Sequence, residues 1–350
     1  MRPTPNVLPA GASNPSLPRR AGRAESVGSE ASALRIGTRG SQLALWQART
    51  VADRIAQSGG PPCRLVVIKT SGDRLQEAPL SELGGKRLFV KEIEEALLRD
   101  EVDVAVHSSK DMPAMAVDGL TIAAVLPRED PRDAVVLPST RTERPSGLDD
   151  LVKAIGQTPT FGTGSVRRVA QLKRAFPCAR FAPIRGNLDS RLRKLDEGQH
   201  DALVLAAAGL HRLGFADRIS LALPPEICVP APGQGVVAVE IRAGDAATRA
   251  VVSRIDDAAT ALVLAAEREL VAALGGGCQT PIGALASLPD DGSLEIVGAV
   301  IALDGSRIVR AAARGDRDAA QAIGARAARD LLENGAGEIL AEARRTAANT

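Results

Sequence analysis

The chain has 350 residues, 45% of them apolar and 25% charged, an ordinary globular composition too long for one comfortable core, so two or three domains are expected. Its 44 basic and 42 acidic residues leave a net charge of +2, and aromatics are 2% with a single Trp and no Tyr, which excludes a dedicated nucleic-acid binder with a basic face and stacking platforms. No run is apolar enough to span a membrane, and Cys63, Cys178, Cys228 and Cys278 stand apart from one another and from His107, His200 and His211, which fits free thiols, a reducing cytoplasmic setting and no metal site.

Residues 1–33 are rich in Pro, Ser, Ala, Gly and Arg and lack an apolar signal core. They read as a disordered tail, with an organellar transit peptide as the alternative suggested by Arg19, Arg20 and Arg23 and opposed by Glu25 and Glu30. From Leu34 a strand leads into RGSQ, and Ala44, Ala48, Val51 and Ile55 recur at helical spacing over 41–57. A strand at 64–69, a Gly-bearing loop to Gly85, a helix carrying Val90, Ile93 and Leu97, and a strand with alternating Val102, Val104 and Val106 follow. The rhythm then repeats: a strand enters GTGSVRR and a helix runs to Phe176, a strand near 180–184 enters RGNLDSR and a helix, and 201–206 is another strand. Strands alternating with helices predict α/β units with mostly parallel sheets, whose ligands bind beyond the carboxyl ends of strands. After PAPGQG come a strand at 236–241, a helix over about 256–274 stopped by Gly275-Gly276-Gly277, strands at 294–301 and 308–312, and two helices, a small α+β unit.

Arg39, Arg167, Arg168, Arg185, Arg191 and Arg212 all fall at or just after expected strand ends, in Gly- or Ser-containing turns. Guanidinium forks grip carboxylates and phosphates in pairs, so six of them imply one ligand with several anionic arms, against the alternative of scattered surface salt bridges. GTGSVRR is neither a dinucleotide nor a nucleotide-triphosphate fingerprint. Asp111 closes an apolar strand, where it can move a proton or stabilise a cation, and Lys110 beside it can clamp a carboxylate or act as an amine. His107 reads as a packed residue. Cys278 follows three glycines on a loop that exposes its sulfur, a candidate nucleophile, whereas the other three cysteines look structural.

Together these segments resemble the porphobilinogen deaminase family, also called hydroxymethylbilane synthase. The matching pieces are RIGTRGSQLALWQA (35–48), TSGD (70–73), GGKRLFVKE (84–92), VDVAVHSSKDMP (102–113), REDPRDA (128–134), GTGSVRR (162–168), IRGNLDSRL (184–192), AAAGLHRLG (206–214), CVPAPGQG (228–235) and GGGCQTPIG (275–283), in the family's order from about residue 34 onward. The resemblance implies a transferase that condenses four porphobilinogens with loss of ammonia into hydroxymethylbilane, primed by a dipyrromethane cofactor in thioether linkage to Cys278. It implies that Asp111 is catalytic, that Lys110, Ser41, Ser165, Arg167, Arg168 and Arg191 hold the cofactor, and that Arg39, Arg185 and Arg212 take the acetate and propionate arms of substrate. The implied fold has three domains: 34–129 with 230–254, and 130–229, both resembling periplasmic binding proteins with a cleft between them, then 255–350 carrying the cofactor cysteine. A monomer without nucleic-acid or membrane partners is expected. Gly164 stands where the family often has Ser, and the tail has no counterpart in shorter members. A small-anion binding protein is the rival reading, disfavoured by the exposed Cys278 and the missing signal.

Overall fold

The computed structural model describes residues 33–71, 90–276 and 280–348. The N-terminal tail, Cys278 and most of the TSGD and GGKRLFVKE segments lie outside them. Three sheets organise the rest. The first has the order β2-β1-β3-β10-β4, built from β1 (Leu34–Thr38), β2 (Cys63–Val67), β3 (Val104–Ser108), β4 (Leu120–Val125) and β10 (Val237–Arg242). The second has the order β7-β6-β8-β5-β9, from β5 (Asp133–Val136), β6 (Thr160–Gly162), β7 (Arg180–Ala182), β8 (Ala202–Ala206) and β9 (Leu221–Ala222). The third is a three-stranded antiparallel meander of β11 (Ile282–Ser287), β12 (Ser293–Ile301) and β13 (Ile308–Asp316).

Helices cover both faces of the large sheets. In the first, α1 (Gln42–Gln57) buries Ala48, Val51 and Ile55 with Val104 and Val106 on one side, while α2 (Lys91–Leu98) buries Ile93 and Leu97 with Ala105 on the other. β3 is therefore buried along both faces rather than alternating, as a central strand must be. In the second, α3 (Leu148–Ile155) and α4 (Val166–Ala175) pack beside Val135, Val204 and Phe161, and α5 (Leu188–Asp196) and α6 (Ala207–Arg212) beside Val136, Leu203 and Leu205. The helix α7 (Ala246–Val252) then leads to α8 (Ala258–Ala273), which shares a core with the third sheet, α9 (Ala320–Glu333) and α10 (Ala336–Ala348).

Both large sheets are mixed, which corrects the expectation of mostly parallel ones. β1, β2 and β3 run parallel, as do β6, β7 and β8, but β10 is antiparallel to β3 and β4, and β5 to β8 and β9. The exceptions, β5 and β10, are the strands by which the chain enters the second sheet and returns to the first, arriving without the crossover helix that makes neighbours parallel. The two crossing segments run side by side, with Leu126 N–H donating to Val237 C=O (3.1 Å) and Glu129 N–H to Gly235 C=O (3.1 Å). Gly235 has φ +88, and a Cβ there would meet the Glu129 oxygen at 2.2 Å, so only glycine fits.

The third sheet is tied to this crossing by a buried ion pair. Arg128 donates through Nη1 to Glu267 Oε1 of α8 (2.6 Å), and Glu267 also accepts from Gly233 N–H (2.7 Å) and Ala286 N–H (2.8 Å). Removing one partner of such a pair strands the other in low dielectric. Glu267→Ala is expected to cost about 3–5 kcal/mol, read as a lower unfolding midpoint in denaturant, and Glu267→Ala with Arg128→Met is expected to recover part of it.

Candidate functional site

Most of the expected site residues sit where a strand hands over to a helix. β1 ends at Thr38, Arg39 follows, and Ser41 caps α1 by accepting from Ala44 N–H (3.3 Å). β6 ends at Gly162, and Ser165 caps α4, accepting from Arg168 N–H (3.4 Å). β7 ends at Ala182, then Arg185 and the cap Asn187 precede α5, which carries Arg191. Neither α1 nor α4 has an acidic residue in its first turn, and α4 has Arg167 and Arg168 there instead. Cations at a helix N-terminus oppose the backbone dipole, and here the buried Asp133 carboxylate offsets both.

β3 runs into a single turn of 3-10 helix, Ser109–Asp111. Asp111 lines a cavity of about 70 Å³ together with Arg39, Ser41, Gln47 and His107. Burial first, then Arg168, pushes the Lys110 ammonium down to about 8, against the pull of Asp111 and Asp133. Burial and the neighbouring Arg168 and Arg185 push Arg191 down to about 10, again with Asp111 opposing. Lys110, Arg168, Arg185 and Arg191 thus share one field around Asp111, with positive charge in excess. Arg212 stands at the other side, pushed down to about 10 by burial with Glu129 opposing, and donates through Nη2 to Gly235 C=O (2.6 Å).

Two of the expected ligand arginines are engaged within the protein. Arg167 donates to both oxygens of Asp133 (2.6 and 3.1 Å) and to Val229 C=O (2.7 Å). Arg168 donates through Nε to Asp133 Oδ1 (2.8 Å) and through Nη1 to Val204 C=O (2.9 Å), and its Nη2 lies 2.8 Å from Asp133 Oδ1 and 3.5 Å from Gln234 Oε1. Burial alone would push the Asp133 carboxyl up, but Arg167 and Arg168 outweigh it and hold the group well below the usual carboxylate range. Gln234 donates to Asp133 Oδ1 (3.0 Å) and Pro131 C=O (2.7 Å) and accepts from Lys110 Nζ (3.4 Å). The sequence reading missed Asp133 and Gln234, although both sit inside quoted segments, REDPRDA and CVPAPGQG.

His107 is a packed residue, its Nε2 3.3 Å from buried Glu240 of β10. Cys228 is buried, its thiol pushed up to about 12 first by burial and then by Asp133, to which it donates (3.2 Å). Cys178 is exposed rather than structural, because it follows Pro177 in the turn between α4 and β7. Among the described residues no cluster of His, Cys, Asp and Glu could hold a metal ion, and no helix is long and apolar enough to cross a membrane.

A mixed α/β scaffold that brings Lys110, Arg168 and Arg191 from three strand-to-helix turns into one field with Asp111 presents a candidate site for an anionic ligand. Comparison with known sequences narrows this. The family description "Porphobilinogen deaminase, dipyromethane cofactor binding domain" matches residues 34–250, and "Porphobilinogen deaminase, C-terminal domain" matches 261–333. A porphobilinogen deaminase of Syntrophobacter fumaroxidans (strain DSM 10017 / MPOB) is 45% identical over 310 residues, 88% of this chain and 97% of the relative. The chain belongs to the porphobilinogen deaminase family. Similar solved structures include the Bordetella pertussis BvgS VFT2 domain (TM-score 0.38, 15% identity, 64% of this chain and 86% of that one). An ancestral cationic amino acid solute binding protein is a second (TM-score 0.37, 16% identity, 64% and 87%). These likenesses are too loose to argue from.

Asp133→Asn keeps the side-chain shape but leaves two buried guanidiniums uncompensated, an expected cost of about 3–5 kcal/mol. Because the folded pKa is depressed, this stability is present above the unfolded value near 4 and is lost as pH falls through the folded value. The difference between wild type and variant in denaturant titrations should stay constant from about pH 8 to 5 and shrink only in stronger acid.

Proposed function

We propose that this enzyme condenses four porphobilinogens, with loss of ammonia, into linear hydroxymethylbilane, primed by dipyrromethane attached through Cys278. The observation that carries the reading is the excess of cations, Lys110, Arg168 and Arg191, in the field of Asp111, with Arg39 lining the same cavity. Pyrroles bearing two carboxylates per ring supply the negative charge such a site lacks.

The donor set fits the cofactor. Lys110, Arg168 and Arg191 would hold its carboxylates with the Ser41 and Ser165 hydroxyls, while Arg167, whose fork lies on Asp133, adds charge and fixes its neighbour. When bound, the group supplies the pyrrole carbon to which each incoming unit is joined. Arg39, Arg185 and Arg212 orient the acetate and propionate arms of substrate. Asp111 faces the reacting pyrrole, accepts hydrogen bonds from pyrrole N–H, and stabilises the positive charge that develops as ammonia departs. In this reading the enzyme works as a cytoplasmic monomer of three domains, 34–129 with 230–254, 130–229 and 255–350.

Intact-mass measurement is expected to show a dipyrrole adduct mapping to Cys278 and absent from Cys278→Ser; an active wild type without the adduct would refute the attachment. Asp111→Asn is expected to retain the adduct and normal circular dichroism while losing about 10²–10⁴ in turnover; a loss within tenfold would transfer the role to another group.

The Lys110 ammonium, held near 8, is charged below that pH and neutral above it. Cofactor assembly from porphobilinogen in the apoprotein should therefore slow as pH rises past about 8. Lys110→Arg, which stays charged, should flatten that decline.

A further inference from the structure

The arginines of the site are held in two different ways, and the difference points to a residue that no role above uses. Arg167 and Arg168 are fixed by a carboxylate, which takes up their donors and offsets their charge. Arg212, the last residue of α6, is fixed by one backbone carbonyl and by an aromatic face: its guanidinium carbon lies 5.6 Å from the ring centroid of Trp46. Trp46 is the chain's only tryptophan and is 36% exposed. It lies on α1, against the first sheet, whereas α6 follows β8 of the second, so the contact bridges the two. Leu43, one turn earlier on α1, faces Gly209 of α6, where an added Cβ would lie 3.8 Å from Leu43 Cδ2.

An aromatic face attracts a cation without accepting its in-plane N–H groups and without bringing a counter-charge. It therefore steadies a guanidinium while leaving its donors and its charge for a carboxylate, which an Asp or Glu in the same place would not do. We propose that Trp46 is a positioning residue for substrate recognition: it holds Arg212 across the two sheets, oriented for an incoming pyrrole carboxylate. This rests on the reading of Arg212 as a substrate-binding residue.

The test combines steady-state kinetics with the emission of the single tryptophan, using holoenzyme throughout. Trp46→Leu should raise KM for porphobilinogen about three- to thirtyfold with kcat within about twofold, and Trp46→Phe should recover most of the loss. In an Arg212→Gln background, Trp46→Leu should add little, because the partner it orients is gone. Arg212→Gln alone should shift Trp46 emission before any substrate is added. An unchanged KM in Trp46→Leu, or a KM effect that persists undiminished in the Arg212→Gln background, would overturn the proposal. Emission shifted by Arg212→Gln, with KM raised by that variant but unchanged in Trp46→Leu, would mean that the pair exists but does not position the arginine for substrate, which also overturns it. Failure of the underlying reading looks different: Arg212→Gln would then leave KM at the wild-type value while its emission still shifts.

Discussion

Asp133 is wholly buried at the first position of β5, and Arg167, Arg168, Gln234 and the Cys228 thiol all converge on its two oxygens. A lone carboxylate at this depth would be neutral. Two guanidiniums keep it ionised, and it in turn permits two guanidiniums to be buried. The hub fixes the N-terminal turn of α4 against β5 and against the segment by which the chain returns to the first sheet. Through Gln234 it reaches Lys110, on the turn that also carries Asp111. Asp111 follows a strand of the first sheet and Arg167 and Arg168 a strand of the second, and this one ion cluster links them.

The consequence is electrostatic as well as mechanical. Asp133 offsets part of the charge of Arg167 and Arg168, yet Arg168 still lowers the pKa values of Lys110 and Arg191. The site is thus pre-loaded with positive charge that the fold tolerates because packing and the hub hold it. Such pre-organisation is what lets charged groups act strongly on a ligand without rearranging when it arrives. A polyanionic ligand relieves the repulsion, so binding and local stability rise together.

The sequence made one half of this legible. Arginines after strand ends, an Asp closing an apolar strand and a cysteine after three glycines each carry a local signature, and helix periodicity placed α1 and α8 within a residue or two. Asp133 and Gln234 have no such signature: a buried carboxylate looks like any charged turn residue until its partners, 34, 35 and 101 positions away, are brought to it. The antiparallel course of β5 and β10 was hidden for the same reason, since local alternation of strands and helices does not record which way a returning strand enters a sheet. Trp46 read as part of a matching segment, and only the packing of α1 beside α6 gives it a partner.

The strengths of these contacts are unequal, and the inequality bears on how the cleft can work. At the base of the crossing the bonds are short and charged, Arg128 to Glu267 and Arg167 to Asp133, both at 2.6 Å. Toward the ligand they lengthen: Lys110 to Gln234 is 3.4 Å and Arg168 to Gln234 is 3.5 Å, at the edge of hydrogen bonding. A small rotation of one sheet on the other would break the long contacts first and leave the short ones intact. The crossing is therefore a stiff base, and beyond it the two sides are tied more weakly, by Gln234, by the Trp46–Arg212 contact and by Leu43 beside Gly209. Carboxylates bound between Lys110 and the arginines would replace long contacts to a neutral amide with ion pairs of opposite charge, and the walls would tighten on the ligand rather than on each other.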